Sequence, residues 1–366
     1  MPADAGAPVN LADYAALAQQ HLPAPVWAYL DGAAADGISQ RDNAAAWPAL
    51  QLLPRVLRRT VGGHSRCRLF GRDWPSPLLV APMAYQRLAH ADGERATALA
   101  AAMLGAGLVL SAQSSTPVEE VARLMLPEPT TRGPLWFQLY LQHDRGFSAE
   151  LVQRAEAAGC EALVLTVDAP CHGARDAERR SGFSLPPGVR AVHLDGLPPR
   201  PARPLAPGAS ALFDDLLHHA ADWDDVAWLR GQTRLPLLLK GVLHPDDARQ
   251  AQALGVDGLI VSNHGGRTLD TALPTARALP AIAEALGGQL PLLVDGGLRR
   301  GTDVLKALAL GADAVLIGRP VLHGLAVAGA QGVAHVLRLL RDEFEIAMAL
   351  TGCATPADIG PGLLAR

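Results

Sequence analysis

Cysteines, charge of one sign and long apolar runs are all scarce in this 366-residue sequence. The four cysteines, Cys67, Cys160, Cys171 and Cys353, show no C-x-x-C spacing. That argues against a disulfide or zinc framework, and no metal is expected. Lys and Arg number 32 against 36 Asp and Glu, a net charge of −4. A nucleic-acid binder would carry a basic footprint, so that class is set aside. No run of about 18 apolar residues exists to span a membrane. The start, MPADAGAPVN, lacks the basic and apolar regions of a secretory signal, and the ending LLAR is neither a peroxisomal address nor a lipidation site. The expectation is a soluble, cytoplasmic protein. Glycine (36) and proline (29) are plentiful but without a collagen-like period. Hydrophobic residues at 49% against 19% charged are ample for a large core. The length allows two domains of roughly 150 residues or one α/β barrel of about 200 to over 400.

Along the chain, Asn10 caps an amphipathic helix built on Leu11, Tyr14, Ala15 and Ala18, which Pro23 stops. A second short helix, PVWAYLDG, ends at Gly32, and the chain then reads as irregular to about residue 76. Short apolar runs follow at 78–82, 108–111, 135–140, 162–168, 235–241, 258–263, 290–297 and 314–319. Runs this short and apolar on both faces fit strands of a parallel sheet. Ala-rich amphipathic segments at 94–107, 148–160, 244–256 and 300–313 lie between them, each closing near a glycine. Eight strands alternating with helices predict a closed (β/α)8 TIM barrel, with a doubly wound open sheet as the alternative. The whole chain, 1–366, reads as a single domain: a helical lead-in over 1–75, a barrel over 76–330 and a C-terminal helix over 331–352. A Pro-rich, aperiodic stretch after the fourth strand makes about 176–222 a lid insertion.

Active sites of such barrels sit at the C-terminal ends of the strands. Those ends hold Ser111, Gln138, Tyr140, Thr166, Asp168, Lys240, Ser262, Asn263 and His264, then Asp295-Gly296-Gly297 and Gly318-Arg319. The glycines, with Arg299 and Arg319, suit a phosphate, since backbone N–H groups can approach its oxygens; a tight turn is the plainer reading of Gly296-Gly297. Lys240 ends a strand that is otherwise apolar, so its ammonium needs a negative partner. That partner is either a neighbouring carboxylate or a ligand that becomes anionic. His264 in SNHGGR could be oriented by Asp168 as a base. Arg267 and Arg175 are clamps for a carboxylate, or else surface arginines.

The motifs APMAYQRLAH (81–90), WFQLY (136–140), LTVDAP (165–170), LLKG (238–241), IVSNHGGRTLD (260–270), LVDGGLRRGTDVLKALALGA (293–312) and IGRP (317–320) resemble the FMN-dependent α-hydroxy acid oxidase/dehydrogenase family. The resemblance runs from about Leu11 to the C-terminal helix. It implies FMN, with Pro82, Met83 and Ala84 along the flavin and Ser111, Gln138 and Thr166 on its polar edge. It places Lys240 near the flavin N1 and Ser262 on the ribityl chain. Asp295, Gly296, Gly297, Arg299, Gly318 and Arg319 fall at the ribityl and phosphate. It makes His264 the base and Asp168 its partner. Tyr29, Tyr140, Arg175 and Arg267 would bind a 2-hydroxy acid, with Tyr140 also counted among the catalytic groups. Gln113 stands where glycolate-type members tend to carry an aromatic residue, and with Tyr85 it could admit a larger acid. Cys171 and Ala174 replace residues that are commonly basic, and Met83 one that is often Thr.

The resemblance implies oxidation of an L-2-hydroxy acid to the 2-oxo acid. Dioxygen is the favoured acceptor, because Ala84 matches oxidase-type members and the insertion lacks a membrane-docking character. No haem-binding stretch precedes Leu11, so no internal coupling to haem is expected. The alternatives are a dehydrogenase linked to quinone or another acceptor, a non-redox barrel isomerase or lyase holding a phosphorylated substrate, and a non-catalytic FMN-binding module. A homotetramer is implied by the resemblance alone, with neither membrane nor nucleic acid as partner.

Overall fold

The computed structural model describes residues 7–127, 132–201 and 203–365. The first six residues and the last one, read above for targeting signals, and Ala202 of the insertion lie outside them. The lead-in holds three helices, α1 (Leu11–His21), α2 (Ala24–Leu30) and α3 (Ile38–Ala49), and a hairpin of β1 (Cys67–Leu69) and β2 (Arg72–Trp74). Asn10 caps α1 as read, its carboxamide oxygen accepting from Ala12 and Asp13 N–H at 2.8 and 3.0 Å.

Eight parallel strands then close on themselves: β3 (Leu78–Val80), β4 (Gly107–Ser111), β5 (Leu135–Leu139), β6 (Ala162–Thr166), β7 (Leu237–Val242), β8 (Gly258–Val261), β9 (Leu292–Val294) and β10 (Ala314–Ile317). β10 pairs back onto β3, which settles the choice for the barrel over the open sheet. Helices on the outside are α4 (Gly93–Leu104), α5 (Val118–Met125), α6 (Arg145–Ala157), α8 (Trp223–Gln232), α9 (Pro245–Ala253), α10 (Thr275–Leu286) and α11 (Gly301–Ala309). A short α7 (Asp176–Ser181) opens the insertion, and α12 (Arg319–Thr351) ends the barrel.

Alternation along the strands divides the core in two. Leu79, Val109, Trp136, Val164, Leu238, Ile260, Leu293 and Leu316 fill the barrel, while Leu78, Leu108, Phe137, Leu163, Leu239, Leu259, Leu292 and Val315 face the helices. The β1–β2 hairpin plugs one end. Trp74 and Phe70 meet Trp136 edge-on at 5.5 and 5.6 Å, next to the start of β5. The opposite end, where the strands finish, is left to the site.

Two expectations need correcting. The stretch after Gly32 is not irregular, because it holds α3 and the hairpin. Two of the side chains that α3 buries are polar, Ser39 and Asn43, and Pro48 lies in its last turn, so no apolar period marks it. The hairpin strands, three residues each, are shorter than any hydrophobic window. Second, the non-helical Ala328 and Gly329 (φ +56°) separate the C-terminal helix read near residue 331, which is present, from a helical stretch that the sequence did not show and that starts at Arg319. Pro320 in its first turn starts a helix rather than stopping one. The most apolar stretch of α12 is long enough to cross a membrane, yet most of it is buried against the rest of the protein.

Candidate active site

A cavity of about 660 Å³ opens at the C-terminal end of the barrel, within the usual range for small-molecule sites. All of the residues to which the resemblance gives a catalytic, substrate or cofactor role line it except Asp168 and Ser262. Those two stand just behind the wall, each bonded to a group that does line it.

On one side is a proton-handling pair. His264 Nδ1 lies 2.7 Å from Asp168 Oδ1, which leaves Nε2 as the nitrogen free to exchange a proton with a bound molecule. Burial disfavours the ionised carboxyl of Asp168. The charge and hydrogen bond of His264, joined by the charge of Lys240, outweigh that and hold its pKa below the ordinary value. His264 has φ of +56°, a strained region for a residue with a side chain, as is common where function fixes the backbone. Its N–H donates to Ser262 Oγ at 3.0 Å. Gly241, φ +113°, lets β7 pass beside the pair, since a Cβ there would sit 2.4 Å from that of Asp168.

Lys240 has the carboxylate partner that the sequence left open. Its Nζ lies 3.1 Å from Asp295 Oδ2 and donates to Ser262 Oγ at 2.9 Å. Burial alone would lower the pKa of this ammonium. Asp295, Asp168 and Tyr140 turn the balance and raise it. Asp295 keeps its other oxygen without a protein partner, although buried. Such an atom asks for a ligand.

Across β4, β5 and β6 runs a relay. Ser111 Oγ donates to Gln138 Oε1 at 2.9 Å, and Gln138 Nε2 donates to Thr166 Oγ1 at 3.0 Å. Strand register puts Ser111 beside Gln138, while Gln138 pairs with Val164 and its side chain reaches Thr166 two residues further along β6.

Three guanidinium groups, Arg267, Arg299 and Arg319, crowd the remaining wall. Burial is the main influence on each and pushes each down, Arg319 to about 9. Arg319 donates to the carbonyls of Gly265 and Gly32 at 2.9 and 2.8 Å, while its Nε makes no hydrogen bond and lies 3.7 Å from Asp31 Oδ1. Gly297 (φ +81°) turns tightly against α3, and a Cβ there would lie 2.2 Å from the Asn43 carbonyl oxygen. Arg267 donates to Gly32 O at 2.7 Å and stands 5.5 Å over the Tyr29 ring. Arg175 is near it, with Glu178 at 3.4 Å. Tyr29 and Tyr140 are both pushed up to about 12, chiefly by burial, so both hydroxyls keep their protons.

Sequence reasoning passed over several residues that shape this site. Asn43 exchanges two amide hydrogen bonds with Asn263, at 2.7 and 3.0 Å, and ties α3 beneath the SNHGG turn. Trp47 donates to Gly296 O at 2.8 Å. Phe183 stacks on Tyr29 at 4.4 Å. Asp31 and His323 sit behind Arg319. His323 carried a signal, lying four residues after Arg319, and Asp31 lies at the end of a helix that was read; Asn43 and Trp47 belong to α3, which the pattern concealed.

The family described as FMN-dependent dehydrogenase matches residues 18–366. An L-lactate oxidase of Roseobacter sp. (strain GAI101) is 50% identical over 359 residues, covering 98% of this chain and 95% of that protein. Glycolate oxidase 1 of Zea mays is 44% identical over 351 residues, covering 96% and 94%. The crystal structure of a mandelate oxidase with (S)-2-phenylpropionate superposes with a TM-score of 0.87 at 41% identity, covering 98% of each chain. With the closed barrel and the strand-end residues described above, these matches establish that the chain belongs to the FMN-dependent dehydrogenase family.

Proposed function

We propose that this protein oxidises an L-2-hydroxy acid to the corresponding 2-oxo acid, with dioxygen as the acceptor and hydrogen peroxide as the second product. The observation that carries this is the His264–Asp168 pair at 2.7 Å, facing the same cavity as Arg267 and Arg175. A base and two cations in one pocket suit a substrate that has both an ionised carboxylate and a proton to lose. Relatives that bear the names L-lactate oxidase and glycolate oxidase support the substrate class and the acceptor.

The residues present fit FMN. Asp295 Oδ1 is a buried polar atom without a protein partner, and Gly296 and Gly297 offer their backbone beside Arg299. Arg319, Arg299 and Gly318 would hold the phosphate, Ser262 and Asp295 the ribityl chain. Ser111, Gln138, Thr166 and Lys240 would hold the polar edge of the ring, with the backbone of Pro82, Met83 and Ala84 along it. When bound, FMN would supply the two-electron acceptor that the oxidation needs, with dioxygen as the final oxidant.

The chain's own residues do the rest. Arg267 and Arg175 orient the carboxylate, and the neutral Tyr29 and Tyr140 hydroxyls donate to substrate oxygens. His264 Nε2 takes the proton, and Asp168 stabilises the imidazolium that results. Lys240 supplies positive charge where negative charge builds. We place the protein in the cytoplasm, where its four free cysteines suit a reducing medium. We assign it a homotetramer, for which the exposed Leu53, Val56, Leu57 and Val61 offer apolar contact area.

Anaerobic titration of the flavin absorbance with L-2-hydroxy acids, L-lactate first, tests the proposal. Bleaching should occur with at least one acid and be lost in His264→Ala, which should still bind FMN. In air, peroxide should match 2-oxo acid mole for mole. A colourless protein, or a yellow one that no acid bleaches, would overturn the reading.

A further inference from the structure

The arginine that ends β10 has a carboxylate behind it, and that carboxylate has a histidine. Asp31 follows the last residue of α2, its N–H closing that helix on Trp27 O at 2.8 Å. Asp31 Oδ1 accepts from His323 Nε2 at 3.1 Å and lies 3.7 Å from Arg319 Nε. His323 is one helical turn along α12 from Arg319, only 4% exposed, and stacked on the Trp27 ring at 5.3 Å. Its orientation is therefore fixed from two sides, by the stack and by the hydrogen bond.

Arg319 needs such a neighbour. Each of its terminal nitrogens gives one N–H to a neutral carbonyl, and Arg267 and Arg299 add like charge nearby. Asp31 is the nearest counter-charge, with Asp295 acting from the other side. Asp31 itself is largely shielded from water, its side chain 25% exposed, a condition that penalises its charge. The His323 hydrogen bond and the charges of Arg319 and Arg299 overcome the penalty and keep it ionised. His323, in turn, is held neutral by burial, so it donates from Nε2 without adding a further cation to the cluster.

We infer that Asp31 and His323 form a positioning pair for Arg319: His323 fixes the Asp31 carboxylate, which holds the guanidinium charged and turned into the pocket, ready for the phosphate of the cofactor. The inference rests on the assignment of Arg319 to that phosphate. It predicts that the pair acts on the phosphate and not on the rest of the flavin.

Dissociation constants of FMN and of riboflavin, which lacks the phosphate, can be measured for the full-length protein by quenching of flavin fluorescence. The wild type should prefer FMN. His323→Phe keeps an aromatic ring against Trp27 but removes the N–H, and should cut that preference about tenfold while leaving riboflavin affinity unchanged. His323→Gln, whose amide nitrogen can reach the Nε2 position, should restore it. Asp31→Asn should lower the preference as well, and carries the test if the Phe variant does not fold. An undiminished preference in His323→Phe and Asp31→Asn would overturn the inference, as would equal weakening of both flavins. A wild type without any preference for FMN would instead overturn the phosphate assignment itself.

Discussion

Two segments outside the barrel repeat close over its mouth, and they are held in opposite ways. The lead-in, α2 and α3, is bonded to the barrel's own turns at many points. Asn43 pairs with Asn263, Trp47 with Gly296 O, and Asp270 accepts from the N–H groups of Asp36 and Ser39 at 3.0 and 2.8 Å. The insertion after β6 is bonded largely to itself, through Arg190–Asp195 and Arg200–Asp215. Among the described residues its hydrogen bonds to the rest are few: His193 accepts from Val118 N–H at 2.8 Å and Val192 N–H donates to Ser114 O at 3.0 Å, joined by ring contacts of Phe183 with Tyr29, His193 with Phe137 and His219 with His143. One segment is part of the floor of the site; the other is a flap with a pin. Local composition does not reveal the difference, which lies in where the hydrogen bonds go.

The largest effect should come from the floor. Asn43→Ala removes the amide pair and the acceptor for Thr275 N–H, stranding buried groups of Asn263 and Thr275. Buried groups left unpaired cost about 1–3 kcal/mol each, so a loss of about 4 kcal/mol is expected. The SNHGG turn that carries His264 should loosen with it. Denaturant unfolding and turnover at saturating substrate should both fall sharply. A variant with wild-type turnover would mean that α3 merely covers the barrel.

The flap's pin should show itself through pH. Burial pushes His193 down to about 4, with the Arg154 charge adding to the effect. The unfolded imidazole takes up a proton near 6.5, so the stability that neutral His193 contributes is complete above pH 6.5. It drains as pH falls toward 4, by on the order of 3 kcal/mol for a shift of this size. Stability of the wild type minus that of His193→Gln should therefore shrink across that window. Parallel curves would show that the pin bears no load.

Legibility in the sequence followed the same division. The β/α repeat was readable because strands buried on both faces are apolar throughout, and the site was readable because polar residues interrupt those runs at their ends. Asp168 behind His264 followed from that logic, as did the need of Lys240 for a negative partner, though not that the partner is Asp295. α3 could not be seen, since what holds it is Asn43 against a residue 220 positions away, a contact that leaves no period. The insertion was recognisable as a lid from its prolines, yet nothing in it marked His193 as the residue that is 1% exposed and fixed to α5.

A smaller effect belongs to the place where the two segments meet. Phe183 lies on Tyr29 at 4.4 Å with the rings 16° from parallel. Such a stack contributes about 0.5–1.5 kcal/mol beyond its buried area. Phe183→Ala frees Tyr29 in the empty site, so KM for the 2-hydroxy acid should rise roughly tenfold, about 1.4 kcal/mol, with kcat nearly unchanged. A fall in kcat with KM unchanged would place Phe183 in the reacting geometry instead, and the flap would count as floor.

The smallest effect sets the limit of the comparison. Arg190 and Asp195 meet at 2.8 Å with side chains 63% and 50% exposed, so water and salt screen the pair on every side. Neither residue touches the barrel through a hydrogen bond among the described residues. Arg190→Ala should leave the melting temperature and KM where they are, whereas Asn43→Ala, also a truncation to alanine, should be severe. Should Arg190→Ala instead raise KM as Phe183→Ala does, the flap's internal clasp would be setting the position of Phe183 over Tyr29. The two segments would then differ only in how far their anchors lie from the site, not in whether they have any.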